Sequence, residues 1–384
     1  MDICALNPFF YPYMGGTEKV LMEVYSRLSK YHNITLISGM PRHTHLPVRE
    51  EINGISVIRL DTRYIDLPGL PIPFPLMHGI RDAIAKSNAD IYHINNRYLY
   101  YRDTLKAISQ KGKKMAITIH NALPKGIDFW TDSMGLLYDA AWGRRIMHKA
   151  DLITGVSKNT VATTVPKEDM HKTEAIYNGI NIHMFKPRDR HAKELKKYAS
   201  MYGGHDIRIL TNGRLVPQKG QIYLLAALKM FVDEGNDASL MIIGAGPMQN
   251  ALLKLSKKLK IDDRMRIISG IDEGELPYYY NSADIFVLPS TYEPGSIALI
   301  EAMASGTPSI ATRVGGIPEL MGRCGLYIKP KDSYDIYKKL NFFIDNNKVI
   351  SRLKKDAHSR AVANHNWDRI AMKYNEAFER TAQR

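Results

Sequence analysis

The sequence predicts an α/β protein of two domains, each a parallel β-sheet flanked by helices. Short β-type runs alternate with helical patterns along the whole chain. The alternation restarts after a polar, charged segment near residues 185–192, which predicts a linker there. A length of 384 residues also favours two domains over a single hydrophobic core.

The first half begins with a strand at Asp2–Leu6, a loop to Gly16 and an amphipathic helix near Thr17–Ser29. Asn53 and Gly54 are turn residues within Ile52–Leu60, which predicts the arm of a hairpin. The other predicted strands of this half are Asn33–Ser38, Ile91–Ile94, Met115–His120 and Leu152–Val156.

The second half repeats the pattern, with short apolar runs separated by helical stretches. Its predicted strands are Ile207–Thr211, Ser239–Ile243, Met265–Ser269, Ile285–Pro289 and Ser309–Thr312. A final amphipathic helix carries Trp367, Ile370, Tyr374 and Phe378 on one face. We therefore expect two Rossmann-like domains with a cleft between them.

The composition is that of an ordinary globular protein, with 45% hydrophobic and 24% charged residues. No apolar stretch reaches eighteen residues, and the first residues lack the pattern of a secretory signal. Only two cysteines occur, Cys4 and Cys324, so we expect neither a disulfide nor a thiolate metal cluster. These observations predict a cytoplasmic protein.

The net charge of +14 is spread evenly along the chain. Residues 1–190 hold 25 basic and 18 acidic residues, and residues 191–384 hold 28 and 21. Such a surface attracts anionic lipid, nucleic acid or phosphorylated small molecules, or is simply a solvated surface. No nucleic-acid-binding motif occurs, so we expect no nucleic-acid partner.

The most informative segment is a predicted strand, a tight loop and a helix between Ala283 and Pro308. Ser296 is suited to cap this helix, and Gly306 to end it. Ligands of such folds lie at the carboxyl ends of strands, beside helix amino termini that suit phosphates. Glu293 falls in the loop and Glu301 one turn inside the helix. The two carboxylates can therefore contact separate parts of one elongated ligand.

This segment resembles the family 4 retaining glycosyltransferases of GT-B fold, and so do motifs along nearly the whole chain. They lie in the family's order and comprise Gly15-Gly16-Thr17, Val156-Ser157-Lys158, Ile176–Asn181 with Phe185 and Pro187, Gly213-Arg214-Leu215 with Lys219-Gly220, Ile242–Pro247 and Gly315–Glu319. The resemblance implies an amino-terminal, acceptor-side domain of residues 1–188 plus about 367–384. Residues 189–366 would then form the domain that binds the nucleotide sugar.

The resemblance implies roles for the residues that match. Arg214 and Lys219 would hold the diphosphate of the donor, and Gly16 would let the backbone approach it. Glu301 would accept hydrogen bonds from the ribose hydroxyls, and Glu293 would bind a hydroxyl of the transferred sugar.

The same resemblance places Gly295 and Ser296 at the donor sugar through their backbone N–H groups, and Gly244 and Ile271 near the nucleotide. The family often has an aromatic residue and then a glycine after Glu-Pro, where this chain has Gly295 and Ser296. The shape of the donor-sugar pocket, and with it the identity of the sugar, therefore does not follow from the resemblance. His120, at the end of a predicted strand, would bind the sugar or orient the acceptor hydroxyl; a structural role at the strand end is the alternative.

The family further implies transfer with retention, in which the leaving phosphate helps to take the acceptor's proton. Arg214, Lys219 and helix-end N–H groups would stabilise that leaving group. No Asp-x-Asp triplet and no metal-ligand spacing of His and Cys occur, so we expect a metal-independent hexosyl- or related glycosyltransferase that needs no cofactor beyond its nucleotide-sugar substrate.

An apolar segment interrupted by four prolines, Leu67–Met77, predicts an exposed or cleft-lining loop. With Trp130, Trp142, Arg144 and Arg145, it could meet a lipid-linked acceptor at an anionic membrane surface, as a peripheral protein on the cytoplasmic face. A loop packed on its own domain is the alternative, and a glycan or a small molecule could equally be the acceptor.

Two other functions stay open. A GT-B nucleotide-sugar epimerase would need no acceptor, and a non-catalytic protein would only bind a nucleotide sugar or an anionic surface. The apolar segment and the complete set of donor motifs favour transfer.

Overall fold

Parallel β-strands form the centre of both halves of the protein. The computed structural model describes residues 1–66, 73–96, 101–121 and 139–384, together with residues 133 and 137. Contacts along the chain divide it into two compact units, Met1–Asn178 with Trp367–Arg384, and Gly179–Asn366. The division therefore follows residue 178, whereas the sequence-based boundary lies at 188.

Ten strands and five helices are described in the first unit before residue 179. The strands are β1 (Asp2–Leu6), β2 (Asn33–Gly39), β3 (Arg49–Ile52), β4 (Ile55–Leu60), β5 (Thr62–Ile65), β6 (Phe74–Met77), β7 (Ile91–Asn95), β8 (Lys114–Ile119), β9 (Leu152–Gly155) and β10 (Thr173–Ala175). The helices are α1 (Gly16–Leu28), α2 (Ile80–Lys86), α3 (Tyr101–Gln110), α4 (Arg144–Lys149) and α5 (Lys158–Thr164).

Eight of these strands form one sheet in the order β10-β9-β8-β7-β1-β2-β4-β3. All pairs are parallel except β3 with β4, which form an antiparallel hairpin. Asn53 and Gly54 make its turn with positive φ angles of 49° and 78°, so the turn is confirmed, but the strand after it begins at Ile55 rather than Ile52. Central strands such as β7 are buried throughout, because helices cover both faces of a parallel sheet.

The structure describes the proline-interrupted segment from residue 73 onward, and its first six residues lie outside the described part. Phe74–Met77 is strand β6, which pairs with β5 in a separate two-stranded ribbon. The prediction of a loop is therefore wrong for these four residues. In a ribbon of two edge strands, Pro75 opposite Tyr64 can lack an N–H group without breaking a central ladder.

The second unit contains six strands and eight helices. Its strands are β11 (Ile207–Asn212), β12 (Ala238–Ile243), β13 (Met265–Ile268), β14 (Ile285–Leu288), β15 (Ser309–Thr312) and β16 (Leu326–Ile328). Its helices are α6 (Lys196–Ser200), α7 (Gln221–Asp233), α8 (Gln249–Leu259), α9 (Leu276–Ser282), α10 (Ile297–Ala304), α11 (Ile317–Met321), α12 (Ser333–Asp345) and α13 (Asn347–His365).

The second sheet is wholly parallel, in the order β13-β12-β11-β14-β15-β16. The strand order reverses between β11 and β14, since β11 pairs with β12 on one side and with β14 on the other. Open α/β sheets bind ligands at such a reversal, beyond the carboxyl ends of the strands. The predicted α/β class with parallel sheets is confirmed.

The last helix, α14 (Trp367–Ala382), packs on the first unit. Arg27 of α1 donates to Asp368 at 2.7 Å, and Arg380 donates to Glu174 of β10 at 2.7 Å. Phe378 lies against the ring of His93 with centroids 4.8 Å apart. Among the described residues, no helix has the length and apolar character to cross a bilayer.

Candidate functional site

The loop after β14 and helix α10 together position two buried glutamates. Ser296 caps α10 as predicted, because its Oγ accepts from the N–H of Leu299 at 3.2 Å. Gly306 ends the helical segment with φ at 70°, which is also as predicted. Glu301 lies one turn inside α10 and is 3% exposed, and Glu293 is 5% exposed. Both carboxylates are thus held inside the unit and need polar partners.

Glu301 has a tyrosine partner that the sequence did not reveal. The hydroxyl of Tyr280 on α9 donates to Glu301 Oε2 at 2.9 Å, and Asn212 Nδ2 donates to that hydroxyl at 2.9 Å. Burial, and then the charge of Glu301, raise the pKa of Tyr280 well above its ordinary value. Tyr280 is therefore a protonated donor at neutral pH, and it fixes one oxygen of Glu301.

Glu293 is held by a lysine and a serine. Lys219 Nζ donates to Glu293 Oε2 at 2.5 Å, and Ser290 Oγ donates to the same oxygen at 3.1 Å. Lys219 follows β11 and Ser290 follows β14, so the ion pair joins the loops of two neighbouring strands. The Lys219 side chain is 20% exposed, which leaves part of the ammonium group accessible.

The backbone of Glu293 is fixed by the loop after β15. Its carbonyl oxygen accepts from the N–H of Gly316 at 3.0 Å. Gly315 has φ at 53°, and a Cβ placed on it would lie 2.1 Å from that oxygen. The close approach of these two loops therefore requires glycine at position 315.

The loops after β11 and β12 lie side by side. Gly213 donates its N–H to Ile243, and Leu215 donates to Ala245, each at 2.9 Å. A Cβ on Gly244 would lie 2.1 Å from the carbonyl oxygen of Gly213, and the φ of Gly244 is 146°. The close packing of the two loops is therefore sufficient to explain the glycine at position 244, independently of any role in binding the nucleotide.

Arg214 extends from this pair of loops. Its side chain is exposed, and within the described part of the chain its guanidinium has no hydrogen-bond or ion-pair partner. Its carbonyl oxygen accepts from Gln221 Nε2 at 3.1 Å, which ties the loop to the first residue of α7. The backbone is therefore held while the cationic end faces solvent.

The remaining predicted residues of the second unit lie in the same set of loops. Gly295 is half-buried between Glu293 and the start of α10, and Ile271 is half-buried in the loop after β13. The structure thus brings together the carboxyl ends of β11, β12, β13 and β14, where these side chains begin.

In the first unit, Gly16 is the first residue of α1, after β1. A Cβ on Gly16 would meet no atom within 4 Å, whereas one on Gly15 would lie 2.7 Å from a Glu18 oxygen. The N–H of Gly15 donates to Glu18 Oε2 at 3.0 Å, and Asn7 donates to Glu18 Oε1 at 3.2 Å. A side chain at 15 would therefore have to displace the Glu18 carboxylate, whereas a side chain at 16 would meet no described atom.

His120 follows β8 and is 7% exposed. Burial lowers its pKa to about 3, so the ring is neutral at physiological pH. Its Nε2 lies 3.0 Å from Asn95 Oδ1, and since a carbonyl oxygen only accepts, Nε2 carries the proton. Nδ1 is then the ring's acceptor.

A buried hydrogen-bond network continues from His120 into the unit. Asn95 Nδ2 donates to Tyr25 at 3.1 Å, and the Tyr25 hydroxyl donates to His93 Nδ1 at 2.7 Å. His93 Nε2 in turn donates to Thr118 Oγ1 at 2.6 Å. Burial, and then the nearby His120, lower the pKa of His93 to about 3. The network fixes the tautomers of both histidines.

Two family models match adjoining parts of this chain. One, described as Glycosyltransferase Family 4, matches residues 14–183, and the other, Glycosyl transferases group 1, matches residues 193–360. Together the two models cover most of the chain, which therefore belongs to the family 4 glycosyltransferases. The resemblance read from the motifs is confirmed.

Relatives of this glycosyltransferase match over different lengths. It is 31% identical over 207 residues to an uncharacterized glycosyltransferase of Methanocaldococcus jannaschii, a match that covers 52% of each chain. It thus spans about half the length of that relative. It is 25% identical over 386 residues to the spore coat protein SA of Bacillus subtilis, which covers 95% of each.

The fold of the glycosyltransferase is found in solved structures. The crystal structure of Anabaena HepE in complex with UDP-glucose matches with a TM-score of 0.78 at 17% identity, over 99% of each chain. The protein therefore has the GT-B fold, as the resemblance implied.

Several side chains that position the predicted site residues of the glycosyltransferase were not predicted from the sequence. Tyr280, Asn212 and Ser290 contact the two glutamates or their partner, and Asn95 contacts His120. Asn212 and Ser290 each stand at the end of a predicted strand, which was a usable signal. Tyr280 gave none, because it lies in a run of three tyrosines on a helix.

Proposed function

We propose that this glycosyltransferase moves a sugar from a nucleoside-diphosphate donor to an acceptor hydroxyl with retention of configuration. The observation that carries the proposal is the Lys219–Glu293 ion pair at the carboxyl ends of β11 and β14, beside the amino terminus of α10. The pair sets a cation for a phosphate next to a carboxylate for sugar hydroxyls. HepE, which shares the fold, is bound to UDP-glucose in its crystal structure.

The donor's diphosphate binds Arg214 and Lys219 in this proposal. The Arg214 guanidinium is exposed and forms no ion pair among the described residues, so a phosphate can accept two parallel hydrogen bonds from one edge of its planar fork. An ammonium group has three N–H donors, so Lys219 can keep one on Glu293 and give the others to phosphate oxygens. The N–H groups of Gly295 and Ser296, with the positive end of the α10 dipole, add to this attraction.

Glu301 binds the ribose hydroxyls. Tyr280 restrains its carboxylate by donating to Oε2, and Asn212 restrains Tyr280 in turn. A carboxylate that is already held in one rotamer loses less conformational entropy when a ligand binds. The hydroxyls of a neutral diol can donate hydrogen bonds to the carboxylate and so compensate its charge. Gly244 and Ile271 complete the nucleotide side.

Glu293 binds a hydroxyl of the transferred sugar. Lys219 and Ser290 hold its carboxylate, and Gly316 holds its backbone carbonyl. A carboxylate that already accepts from a lysine and a serine has further lone pairs with which to accept from a sugar hydroxyl. Glu293 therefore orients the sugar.

In the first unit, Gly16 and His120 contact the donor and the acceptor. The absence of a side chain at Gly16 keeps the α1 amino terminus open to a phosphate. Neutral His120 presents Nδ1 as an acceptor, which suits a hydroxyl of the donor sugar or of the acceptor.

The reaction needs a stabilised leaving group. As the bond from the anomeric carbon to the diphosphate breaks, negative charge grows on a phosphate oxygen beside Arg214 and Lys219. The acceptor hydroxyl bonds to the anomeric carbon from the same face, and its proton passes to that oxygen. Configuration is thereby retained, and the two basic side chains do the work that a metal ion would do elsewhere.

The acceptor is proposed to be a lipid-linked or glycan hydroxyl at the cytoplasmic face of a membrane. Trp142, Arg144 and Arg145 are exposed side by side in the first unit. Aromatic and basic side chains together favour the headgroup region of an anionic bilayer, and the net charge of +14 adds to the attraction. Trp130 lies outside the described residues.

Release of nucleoside diphosphate in the presence and absence of acceptors tests the proposal. Donors are first screened by thermal shift, because a bound donor stabilises the folded state. Acceptor-dependent release with a product of retained anomeric configuration is expected. Acceptor-independent release with an altered sugar indicates an epimerase, and binding without turnover under all conditions indicates a non-catalytic protein; either result overturns the proposal.

A further inference from the structure

A cavity of about 430 Å³ opens in the second unit on the edge of the sheet opposite to the candidate donor site. It is lined by residues at the amino-terminal ends of three strands, namely Ile207 of β11, Asp284 before β14 and Pro308 before β15. The glutamates and basic residues of the donor site follow the carboxyl ends of the same strands. The cavity is therefore a separate site.

Three cationic side chains line the cavity: Arg188, Arg190 and Lys354. Arg188 Nε and Nη1 are buried without a hydrogen-bond partner, and Glu194 lies 3.6 Å from Nε on the exposed side. The guanidinium also lies over the ring of Tyr278, 4.6 Å from its centroid. Buried N–H groups without an acceptor are costly, so Nε and Nη1 of Arg188 favour an anion bound beside them.

Two acidic residues line the cavity, Asp284 and the exposed Asp206, and in the described part of the chain only Asp284 is compensated by neighbouring cations. Asp284 accepts from Arg208 Nε at 3.0 Å and forms an ion pair with Arg190 at 2.8 Å. Lys354 is exposed and has no ion-pair partner among the described residues. Four positive side chains (Arg188, Arg190, Arg208 and Lys354) and three negative ones (Glu194, Asp206 and Asp284) lie in or beside the cavity, so its surroundings carry a net positive charge of one.

Two further features fit an oxyanion. The first turns of the 19-residue helix α13 line the cavity through Asn347, Ser351 and Lys354, so the positive end of its dipole faces this region. Ser305, which is 3% exposed and lines the cavity, has a buried Oγ without any hydrogen-bond partner. Such orphaned groups are rare in folded proteins and mark places where a ligand or solvent supplies the bond.

We propose that this cavity binds the phosphate group of a small phosphorylated molecule. Several cations and a helix amino terminus suit a dianion better than a carboxylate. The volume lies in the range of small-molecule sites and exceeds what a bare phosphate fills. Phe343 and Ile350 line another part of the cavity and offer apolar surface to the carbon skeleton of the ligand.

The cavity shares two helices with the donor site. On α9, Tyr280 donates to Glu301 while the adjacent Asn281 lines the cavity and accepts from the N–H of Arg188 at 2.7 Å. Ser305 lies one turn after Glu301, at the end of α10. Occupation of the cavity can therefore change donor affinity through these helices, a consequence that rests on the proposed function, whereas the binding itself does not.

Calorimetric titration with glycerol 3-phosphate tests the site, with glycerol as the uncharged control. The titration uses an Arg214→Ala/Lys219→Ala variant, so that phosphate binding at the donor site does not contribute. One molecule should bind per chain. Adding Lys354→Ala should weaken binding about tenfold, because one charge-assisted contact is lost. The matched change Lys355→Ala, on the same helix but outside the cavity, should leave the Kd within about twofold.

A second variant tests the cavity as a whole, in addition to the single contact made by Lys354. Ser351→Glu places a negative charge at an exposed helical position of the cavity wall, where the fold tolerates it, and should abolish binding. Absence of any phosphate-dependent heat in the Arg214→Ala/Lys219→Ala variant overturns the proposal. Equal affinities of the Lys354→Ala and Lys355→Ala variants also overturn it.

Discussion

Lys219 Nζ lies 2.5 Å from Glu293 Oε2, although the two residues are 74 positions apart in the chain. The family resemblance implies that they bind different parts of the donor, the diphosphate and the sugar. Their pairing means that the group proposed for the diphosphate and the group proposed for the sugar orient each other. Binding of the phosphate to Lys219 therefore also affects how firmly Glu293 holds the sugar.

Lys219→Ala should reduce kcat at least about 100-fold, because a cation beside the leaving phosphate is lost. It should also lower the free energy of unfolding by about 1–2 kcal/mol, since among the described residues Glu293 keeps only Ser290 as a side-chain partner. Urea unfolding and donor turnover measure the two effects. Lys229→Ala removes an exposed ion pair with Asp233. It should change the free energy of unfolding by no more than about 0.5 kcal/mol and should leave donor turnover nearly unchanged. A Lys219→Ala protein as stable as the wild type would contradict the structural role of the pair.

Tyr280→Phe should weaken donor binding about five- to tenfold, because Glu301 loses the hydrogen bond that fixes its carboxylate. The cost to the free energy of unfolding should be about 1 kcal/mol, as Asn212 also loses its partner. Donor affinity is measured by calorimetry. Tyr279→Phe is the matched control, since the Tyr279 hydroxyl makes no hydrogen bond among the described residues. Equal donor affinities of both variants would show that Tyr280 does not position Glu301.

Two glycine substitutions should have opposite consequences. Gly244→Ala places a Cβ 2.1 Å from a carbonyl oxygen at a positive φ and should destabilise the protein by about 2–3 kcal/mol. Gly16→Ala meets no atom within 4 Å and should leave the melting temperature nearly unchanged. Its donor affinity should nevertheless fall, because the methyl group occupies the proposed approach of the diphosphate. Thermal denaturation with donor titration separates the two, and a Gly16→Ala protein with wild-type donor affinity would remove Gly16 from the site.

His93 and His120 make stability depend on pH in a defined direction. Burial lowers the pKa of each to about 3, whereas the unfolded chain takes up these protons near the ordinary value of 6.5. Their contribution to stability is therefore complete above pH 6.5 and is lost as the pH falls toward 3. Each histidine should lower the free energy of unfolding by about 1.4 kcal/mol per pH unit in that range.

Urea unfolding between pH 7 and pH 4.5 measures how steeply the free energy of unfolding falls with pH. The two histidines contribute equally to this slope, so His93→Asn should remove half of their joint contribution. An unchanged slope in that variant would contradict a buried, neutral His93. Because His120 is neutral throughout, its titration should produce no inflection in kcat/KM between pH 5 and pH 8.

Membrane binding should depend on the exposed aromatic and basic residues of the first unit. Co-sedimentation with vesicles that contain anionic lipid should fall at least about fivefold for a Trp142→Ala/Arg145→Ala protein at low salt. Arg63→Ala/Arg81→Ala, in the same unit, removes two charges elsewhere and is the control for net charge. If the wild type does not sediment with these vesicles, the membrane proposal is wrong.

The fold was largely predictable because its signals are local. Strand β1 and the positions of β14, β15 and the Asn53-Gly54 turn follow from apolar runs and turn residues next to them in sequence. The ribbon of β5 and β6 was missed, since Pro75 argues against a strand unless the pairing partner is known. Short edge strands such as β10 and β16 were missed for a similar reason: three residues give no periodicity.

The α/β class, the family and the strand–loop–helix segment with Ser296 at its cap could be predicted from the sequence, because each depends on neighbouring residues or on motif order. Which side chains meet was set by the fold of the whole chain. It paired Lys219 with Glu293 and Tyr280 with Glu301, and it buried His120 against Asn95. Contacts of this kind join residues far apart in the chain, and the pKa of a buried group depends on all the atoms that exclude water from it.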